Sequence, residues 1–397
     1  MTRPAARAMI LPACLLTLAS LTACTGLDEN SASTDPRPVH SPAETLDPAE
    51  PDDPGTARAG DSETGVVDPG WDMAAQEADG VFLSLHEKDS DLEFRAVDSA
   101  GTILWTALRP RVCSGFFVSE SEAGPVAVLM DQQSGSNSSL ATTASGFDLH
   151  TGRKLWGPVE APGPLLGSGL VFAGAPQDFI GKGGPRVALD PATGKRLAAE
   201  AEDSPRVITL LGSHLILADG EMLIGQDLGG HRLWIRDAAD LGVSAGEARE
   251  TPWEAIGGSH ALLGSAGDRQ RTLIDLRSGA AVASNIDSAS YDAGSRTLVT
   301  SDSQLHGFDL DGTKRWDAPL ADDAELSAVG DGRIVTAAGA GNGPNGTETR
   351  SASDGQTIDG AEDDPATRRF GAAHHIAETG ARLFGDPDSP LLSPKKQ

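Results

Sequence analysis

The line "GFDLHTGRKLWGP", from Gly146 to Pro158, returns almost unchanged as "GFDLDGTKRWDAP", from Gly307 to Pro319. Each line holds an Asp, a Gly three or four residues later, and a Trp four residues after that Gly. An Asp carboxylate can accept hydrogen bonds from turn amides, and Gly supplies the positive φ that tight hairpins need. Because side chains alternate along a strand, the Trp points to one face, where its ring can pack against another sheet. The line therefore predicts a β-hairpin with an indole directed at a neighbouring sheet.

The same unit occurs seven times, at intervals of about 40 residues. Between the units lie short apolar runs bounded by Gly, Asp or Ser, such as "GVFLSLH" and "SHLILAD", and no stretch keeps a helical period. A period of about 40 residues that holds roughly four short strands is typical of a propeller blade. The sequence thus predicts an all-β β-propeller of four-stranded blades. The predicted repeat residues are Asp98, Gly101, Trp105, Asp148, Gly152, Trp156, Asp190, Gly194, Asp227, Gly230, Trp234, Asp275, Gly279, Asp309, Gly312, Trp316 and Gly355.

The number of blades is predicted to be seven, with eight as the alternative. "HIAETGARLF" offers an eighth turn at Gly380 with Phe384 at the Trp position, and "GDSETGVV" after Gly60 echoes the turn as well. Gly380 follows Gly355 too closely for a complete blade. We therefore expect C-terminal strands to pair with N-terminal ones and close the ring, which removes the exposed sheet edge.

The repeated D-x-x-[T/S]-G-x-x-x-W line resembles the PQQ-like, or quinoprotein alcohol dehydrogenase-like, β-propeller repeat over about residues 71–385. The resemblance is specific at Asp148, Thr151, Gly152 and Trp156. It implies a propeller of the kind found in quinoprotein dehydrogenases and in non-enzymatic outer-membrane assembly lipoproteins of the Bam complex. The pattern departs from the family where Ala198, Ala283 and Asp359 replace the Trp and where Ser351 replaces the Asp.

The first 23 residues resemble a bacterial lipoprotein signal peptide. Arg3 and Arg7 precede an apolar stretch that is short for a membrane span, and "LTAC" ends at Cys24. In such signals this Cys is acylated and becomes the new N-terminus, and more than one acyl chain anchors a protein stably. We expect lipid attachment at Cys24, with an ordinary secretory signal as the alternative. The high content of Ala, Gly and Arg suggests an actinobacterial source.

The remaining boundaries follow from composition. Residues 24–70 are rich in Pro, Asp, Glu, Ser and Thr and predict a disordered linker, residues 71–386 the propeller, and residues 387–397 a disordered tail. Cys14 would leave with the signal peptide and Cys24 would carry lipid, so Cys113 has no disulfide partner and is predicted to be a buried small hydrophobe.

The formal net charge of −27 makes nucleic acid and anionic lipid headgroups poor partners for the folded part.

Motifs for catalysis or metal binding are not recognisable in the sequence. It holds no pair of adjacent cysteines and no recognisable Ca²⁺ loop, which the resemblance would lead one to expect in a PQQ enzyme. "GNGPNG" contains a Pro and opens no helix, so it predicts a turn and no dinucleotide site. His374 and His375 would point to opposite faces of a strand, which argues against a metal site with Glu378. His260 is predicted to lie on the surface or in a loop.

We therefore predict no catalytic residues, no metal and no cofactor. The favoured hypothesis is a non-catalytic binding or scaffolding module for a protein, peptide or cell-envelope component, anchored by lipid at the outer face of the cytoplasmic membrane and monomeric. Two alternatives stay open: a propeller enzyme, quinoprotein-type or other, with a site in the central channel, and an accessory or sensor lipoprotein of a transporter or signalling system. Two long loops, Asp131–Gly146 and Ala337–Gly355, are candidate binding loops at one rim.

Overall fold

Strands make up most of the described part of the chain, and helices are few and short. The computed structural model describes residues 44–45, 64–88, 91–111, 115–121, 123–134, 140–167, 169–174, 184–265, 270–338, 346–360 and 364–394. Cys24 and Cys113 lie outside these residues, so the predictions for them stay predictions. In the described ranges, no helix is long and apolar enough to cross a membrane.

Eight antiparallel sheets form within the described residues, one per blade, and this confirms the predicted all-β propeller. Blade 1 contains β2 (Gln76–Ala78), β3 (Val81–Lys88), β4 (Asp91–Asp98) and β5 (Thr102–Pro110), with β1 (Glu44–Thr45) paired to β5 as an extra edge strand. Blade 2 contains β6 (Phe116–Ser119), β7 (Val126–Ser134), β8 (Leu140–Asp148) and β9 (Lys154–Glu160). Blade 3 contains β10 (Val171–Ala173), β11 (Arg186–Leu189) and β12 (Arg196–Ala199), and its first strand is marked by the Leu165–Phe172 bridge.

The next three blades each have four complete strands. Blade 4 contains β13 (Arg206–Leu211), β14 (His214–Asp219), β15 (Met222–Asp227) and β16 (Arg232–Asp237). Blade 5 contains β17 (Trp253–Ile256), β18 (His260–Leu263), β19 (Arg271–Asp275) and β20 (Ala280–Ile286). Blade 6 contains β21 (Ser288–Asp292), β22 (Thr297–Ser301), β23 (Gln304–Phe308) and β24 (Lys314–Pro319).

The last two blades are completed by isolated bridges. Blade 7 contains β25 (Ala324–Gly330), β26 (Arg333–Ala338) and β27 (Thr347–Ser351), with the Arg350–Thr357 bridge on its outer side. Blade 8 contains β28 (His375–Ile376), β29 (Arg382–Phe384) and β30 (Leu391–Ser393), with the Val67–Leu392 bridge. Two α-helices, α1 (Ala245–Glu250) and α2 (Pro365–Phe370), and the 3₁₀ turn Ala238–Leu241 lie in the connections between blades, and a second 3₁₀ turn, Gly257–Ser259, joins β17 to β18 within blade 5.

The blades are arranged around a common axis, with the first strand of each blade innermost. β13 contacts β17, β17 contacts β21, β21 contacts β25, and β25 contacts β28. The second strands of blades 4, 5 and 6 are buried along almost their whole length, because blades on both sides cover them. Hydrophobic clusters fill the spaces between neighbouring blades, for example around Phe94 and Phe147 between blades 1 and 2. We call the face that carries the turns between first and second and between third and fourth strands the upper face, and the opposite face the lower face.

The ring closes by pairing the two ends of the body, as the sequence predicts. The Val67 and Leu392 backbones exchange two hydrogen bonds of 2.8 and 3.0 Å, so the outermost strand of blade 8 comes from the N-terminal side. On the inner side, the His375 ring lies 3.3 Å from the Glu77 carboxylate and stands edge-on to Phe82. The body thus extends past both predicted bounds: it begins before residue 71, and β30 lies in the stretch predicted to be a disordered tail.

Blade 8, which combines β28 to β30 with the segment around Val67, brings the number of blades to eight. Gly380 lies in the turn between β28 and β29, which is a hairpin of first and second strands and is not equivalent to the repeat turn. This explains the short interval after Gly355. The turn equivalent to the others precedes Val67, where Gly65 has a φ of 64° and follows Thr64. Seven units are legible as continuous lines because the eighth is divided between the two ends of the body.

Candidate functional site

The repeat aspartates close the hairpin between the third and fourth strand of each blade. The Asp98 carboxylate accepts hydrogen bonds from the amides of Ala100 and Thr102 at 2.9 and 2.8 Å. The Asp148 carboxylate accepts from the amide and the hydroxyl of Thr151, both at 2.9 Å. The carboxylates of Asp190, Asp227 and Asp275 accept amides of their own turns in the same way. At Asp309 the carboxylate instead pairs with Arg315 at 2.7 Å, and Asp311 accepts the turn amide of Thr313.

The repeat glycines occupy the left-handed region, where a side chain would be strained. At Gly194 a Cβ would also stand 2.4 Å from the Trp156 ring, so the position needs Gly for two reasons. The φ values lie between 65° and 84° at Gly101, Gly152, Gly194, Gly230, Gly279, Gly312 and Gly355.

The four repeat tryptophans join each blade to the next one. Each indole N–H donates to a carbonyl oxygen in the repeat turn of the following blade, on the residue directly after its Asp or Ser351. The rings of Trp156, Trp234 and Trp316 also lie over the Gly of that turn. The pairs are Trp105 to Leu149 at 2.7 Å, Trp156 to Pro191 at 2.8 Å, Trp234 to Leu276 at 2.7 Å and Trp316 to Ala352 at 3.2 Å.

A second glycine in the repeat was not identified by sequence reasoning. Gly146, Gly225 and Gly307 stand two residues before the Asp and lie opposite Trp156, Trp234 and Trp316 on the paired strand. A Cβ at these positions would come within about 2.2 Å of the indole. The signal was present in the opening "GFD" of both quoted lines, since a small residue there makes room for the ring.

The junction between blades 5 and 6 replaces the indole with other donors. Ala283 stands at the Trp position, and the carbonyl of Leu310 accepts from Arg277 at 2.8 Å and from the His260 ring at 3.1 Å. His260 is 1% exposed and burial lowers its pKa, so the prediction of a surface or loop histidine was wrong. The residue is buried because its acceptor lies on the next blade, 50 positions further along the chain.

The central channel widens into a cavity of about 260 Å³ beside the inner strands of blades 5 to 8. Its polar lining includes Glu254, Ser290, Ser327, His374 and His375. Burial, together with the adjacent His375, lowers the pKa of His374 to about 4, so this ring is neutral at pH 7. Its Nδ1 is buried and has no hydrogen-bond partner within the described residues.

The upper mouth of the channel is acidic near blades 8, 1 and 2. Burial and the negative charges of Glu378 and Glu77 raise the pKa of Glu120, and burial and Glu77 raise that of Glu378. His375 contacts Glu77, and His150 lies 3.0 Å from the Asp79 carboxylate. In the part of the chain that the structure describes, no three His, Cys, Asp or Glu side chains converge as metal ligands.

A larger recess of about 490 Å³ opens on the lower face between blades 6 and 7. Beside it, the His306 ring lies between two carboxylates: Nε2 is 3.2 Å from Asp302, and Nδ1 contacts Asp317, which also pairs with Lys314. Of these residues Asp302 lines the recess, and its carboxylate is held by the His306 ring and by the amide of Gln304. The polar lining of the recess consists of Asp287, Ser288, Ser301, Asp302, Ser303, Asp322, Asp323 and Glu325.

Comparison with known proteins gives structural likeness alone. No protein-family model matches the chain, and no curated protein matches it. BamB from Moraxella catarrhalis is 13% identical, with a TM-score of 0.43 over 82% of this chain and 97% of that one. KlHsv2 with loop 6CD replaced by a Gly-Ser linker is 9% identical, with a TM-score of 0.34 over 68% of this chain and 89% of that one.

Proposed function

We propose that the protein is a non-catalytic binding or scaffolding module that is held at the outer face of the cytoplasmic membrane by lipid on Cys24. Its partner is a protein, a peptide or a cell-envelope component. The closed eight-bladed ring supports this proposal because it provides a rigid body with two accessible faces. The seven continuous repeat turns and the four indole contacts build that body and are not available to a partner.

The observation that carries the proposal is the recess between blades 6 and 7. It is formed where the turn after β22 and the connection from β24 to β25 meet on the lower face. A concave surface of about 490 Å³ lies within the usual size range of a ligand-binding site. The Asp302 and Asp317 carboxylates flank His306, which fixes one wall of the recess before a partner arrives.

Site-specific crosslinking tests this assignment. A photoreactive residue in place of Asp322, which lines the recess, should give a reproducible crosslinked product in cells of the source organism. The matched control carries the same group in place of Leu155, an exposed residue on the outer strand of blade 2. Equal labelling at both positions, or none at Asp322, would contradict a binding role for the recess.

The anchor is tested separately. We expect Cys24→Ser to move the protein from the membrane fraction to the soluble fraction and to abolish labelling by an alkyne-bearing fatty acid. Cys113→Ser should leave both properties unchanged. Retention of the label in Cys24→Ser would show that the lipid, if any, is attached elsewhere.

A further inference from the structure

An indole can bridge two blades only where three conditions hold together. The residue opposite the Trp on its own blade must be small, as Ala96 is opposite Trp105 and Gly146 opposite Trp156. The following blade must present an open turn glycine for the ring and a carbonyl oxygen for the N–H. These conditions define a tryptophan-binding unit that the molecule itself builds several times.

Blade 5 carries Ala283 in place of the Trp and does not meet these conditions. The residue opposite Ala283 is Leu273, which fills the space where a ring would lie. The acceptor carbonyl of Leu310 is already bonded to Arg277 and His260. At this junction Arg277 and His260 take the place of the indole as hydrogen-bond donors.

Blade 3 also lacks the Trp, but its junction with blade 4 keeps the small residue, the turn glycine and the acceptor of the unit. Ala198 stands at the Trp position and is partly exposed, and the residue opposite it, Ala188, is small and fully buried. No hydrogen bond within the described residues ends on the carbonyl oxygen of Leu228, which is the equivalent acceptor. A Cβ built on Gly230 would have no atom within 4 Å, whereas at Gly194 it would meet a ring at 2.4 Å.

The surroundings of this junction are apolar and include exposed cations. Leu233 and Ile235 are 42% and 41% exposed, and they alternate with Trp234, which faces blade 5, so they face blade 3. Lys195, Arg196 and Arg232 are exposed nearby and form no ion pair with any described residue. The carboxylates of the two turns, Asp190 and Asp227, accept hydrogen bonds from amides of their own turns.

We propose that the outer junction between blades 3 and 4 binds a tryptophan side chain of a partner protein, presented on an extended, acidic segment. The indole would lie over Gly230 and beside Ala198, and its N–H would donate to the Leu228 carbonyl. The segment's acidic residues would face Lys195, Arg196 and Arg232, and its neighbouring apolar side chains Leu233 and Ile235. This inference rests on the proposed binding function and names the partner's chemistry at a second surface.

Peptide binding to the purified full-length chain tests the proposal. The probe is a five-residue peptide with Trp at its centre and Asp or Glu at both ends, titrated by calorimetry. We expect saturable binding, weakened about fivefold when the Trp is replaced by 1-methyltryptophan, which keeps the ring and loses the N–H donor. A Leu-centred peptide should bind at least tenfold more weakly. No binding of the Trp peptide, or equal binding of all three, would overturn the proposal.

An internal substitution supplies the matched test. Ala198→Trp should place an indole in the junction, raise the melting temperature by about 2–4 °C and abolish peptide binding. Ala283→Trp is the control: it should lower the melting temperature, because Leu273 occupies the space, and leave peptide binding by the folded protein unchanged. Peptide binding that persists in a folded Ala198→Trp variant would place the peptide elsewhere and overturn the proposal.

The two proposals fail in different ways. If the Asp322 crosslink forms equally in the wild type and in Ala198→Trp, and no Trp peptide binds, the junction is not a binding site while the scaffolding function stands. If the Trp peptide binds and Ala198→Trp abolishes that binding, but Asp322 gives no crosslink, the recess is not the functional surface and the junction proposal stands alone.

Discussion

The indole nitrogens of the repeat tryptophans illustrate how one residue type joins separate sheets. Each ring lies between a small residue of its own blade and a turn of the next blade, and each N–H saturates a carbonyl that would otherwise be buried without a partner. The ring contributes buried apolar area, while the hydrogen bond fixes the distance between blades. Both effects act at every junction where the Trp is present.

At the residue scale, we expect Trp156→Phe to lower the free energy of unfolding by about 1–3 kcal/mol, because the Pro191 carbonyl loses its donor while most of the ring stays. Trp156→Ala should cost about 3–5 kcal/mol, since the ring volume is lost as well. Urea unfolding followed by circular dichroism measures both. Trp316→Phe is the control, and its smaller effect follows from a longer hydrogen bond of 3.2 Å and partial exposure. Equal losses at the two sites would contradict the role assigned to the hydrogen bond.

At the scale of elements, α2 is fixed to blade 8 through the carboxylate of Asp364. Asp364 accepts from the Thr367 amide at the start of α2 and pairs with Arg382 of β29 at 3.0 Å. Burial alone would raise the pKa of Asp364, but the hydrogen bond and charge of Arg382 outweigh it and lower the pKa to about 2. The helix is thereby fixed to the central strand of the closing blade.

This pKa predicts how stability depends on pH. A carboxyl whose pKa is lower in the folded state stabilises the protein above its unfolded-state pKa, near 4, and the contribution is lost as the pH falls from about 4 to about 2. We expect Asp364→Asn to cost about 2 kcal/mol at pH 7 and progressively less below pH 4. Urea unfolding between pH 7 and pH 3 measures the difference. Asp388→Asn, an exposed change in the same blade, should show no such dependence; a pH-independent loss in Asp364→Asn would refute the ion-pair explanation.

At the scale of the whole molecule, the ring depends on two segments about 325 residues apart in sequence. Val67 and Leu392 are almost fully buried, and their backbone pairing supplies the fourth strand of blade 8. Without it, β30 would become an edge and the hydrophobic cluster around Phe384 and Val66 would open to water.

Truncation tests this closure. A chain that ends after Asp388 lacks β30, and we expect it to lose its cooperative thermal transition or to melt at least 10 °C lower. A chain that ends after Pro394 keeps β30 and should melt with the full-length protein. Differential scanning calorimetry compares the three chains, and identical melting of all of them would show that the ring does not need the C-terminal strand.

Local features were predictable from the sequence, whereas features that depend on distant partners were not. The turns at Asp148 and Gly152 could be identified because the hydrogen bonds that shape them lie within five residues. The buried state of His260 could not, since its acceptor belongs to another blade. The sequence predicted seven blades and offered eight only as the alternative, because the repeat line of blade 8 is divided between the segment that contains Gly65 and the segment that ends near Ser393.

The candidate site shows the same limit. Ala198 and Ala283 look alike in the sequence, as two losses of the repeat Trp. Only strand register shows that Ala188 lies opposite the first and Leu273 opposite the second, and hence that the opposing side chain is small in one junction and large in the other. The recess on the lower face was not foreseen either, because its walls come from connections that follow no repeat pattern.

The divided eighth blade also sets the order in which the chain can mature. Blades 1 to 7 consist of nearly contiguous segments and can form as synthesis proceeds, but Val67 cannot pair until Leu392 has been made, about 325 residues later. A chain interrupted before that point keeps an open sheet edge, and such edges promote aggregation. The pairing of Val67 with Leu392 is therefore the blade contact that has to wait longest for its second partner.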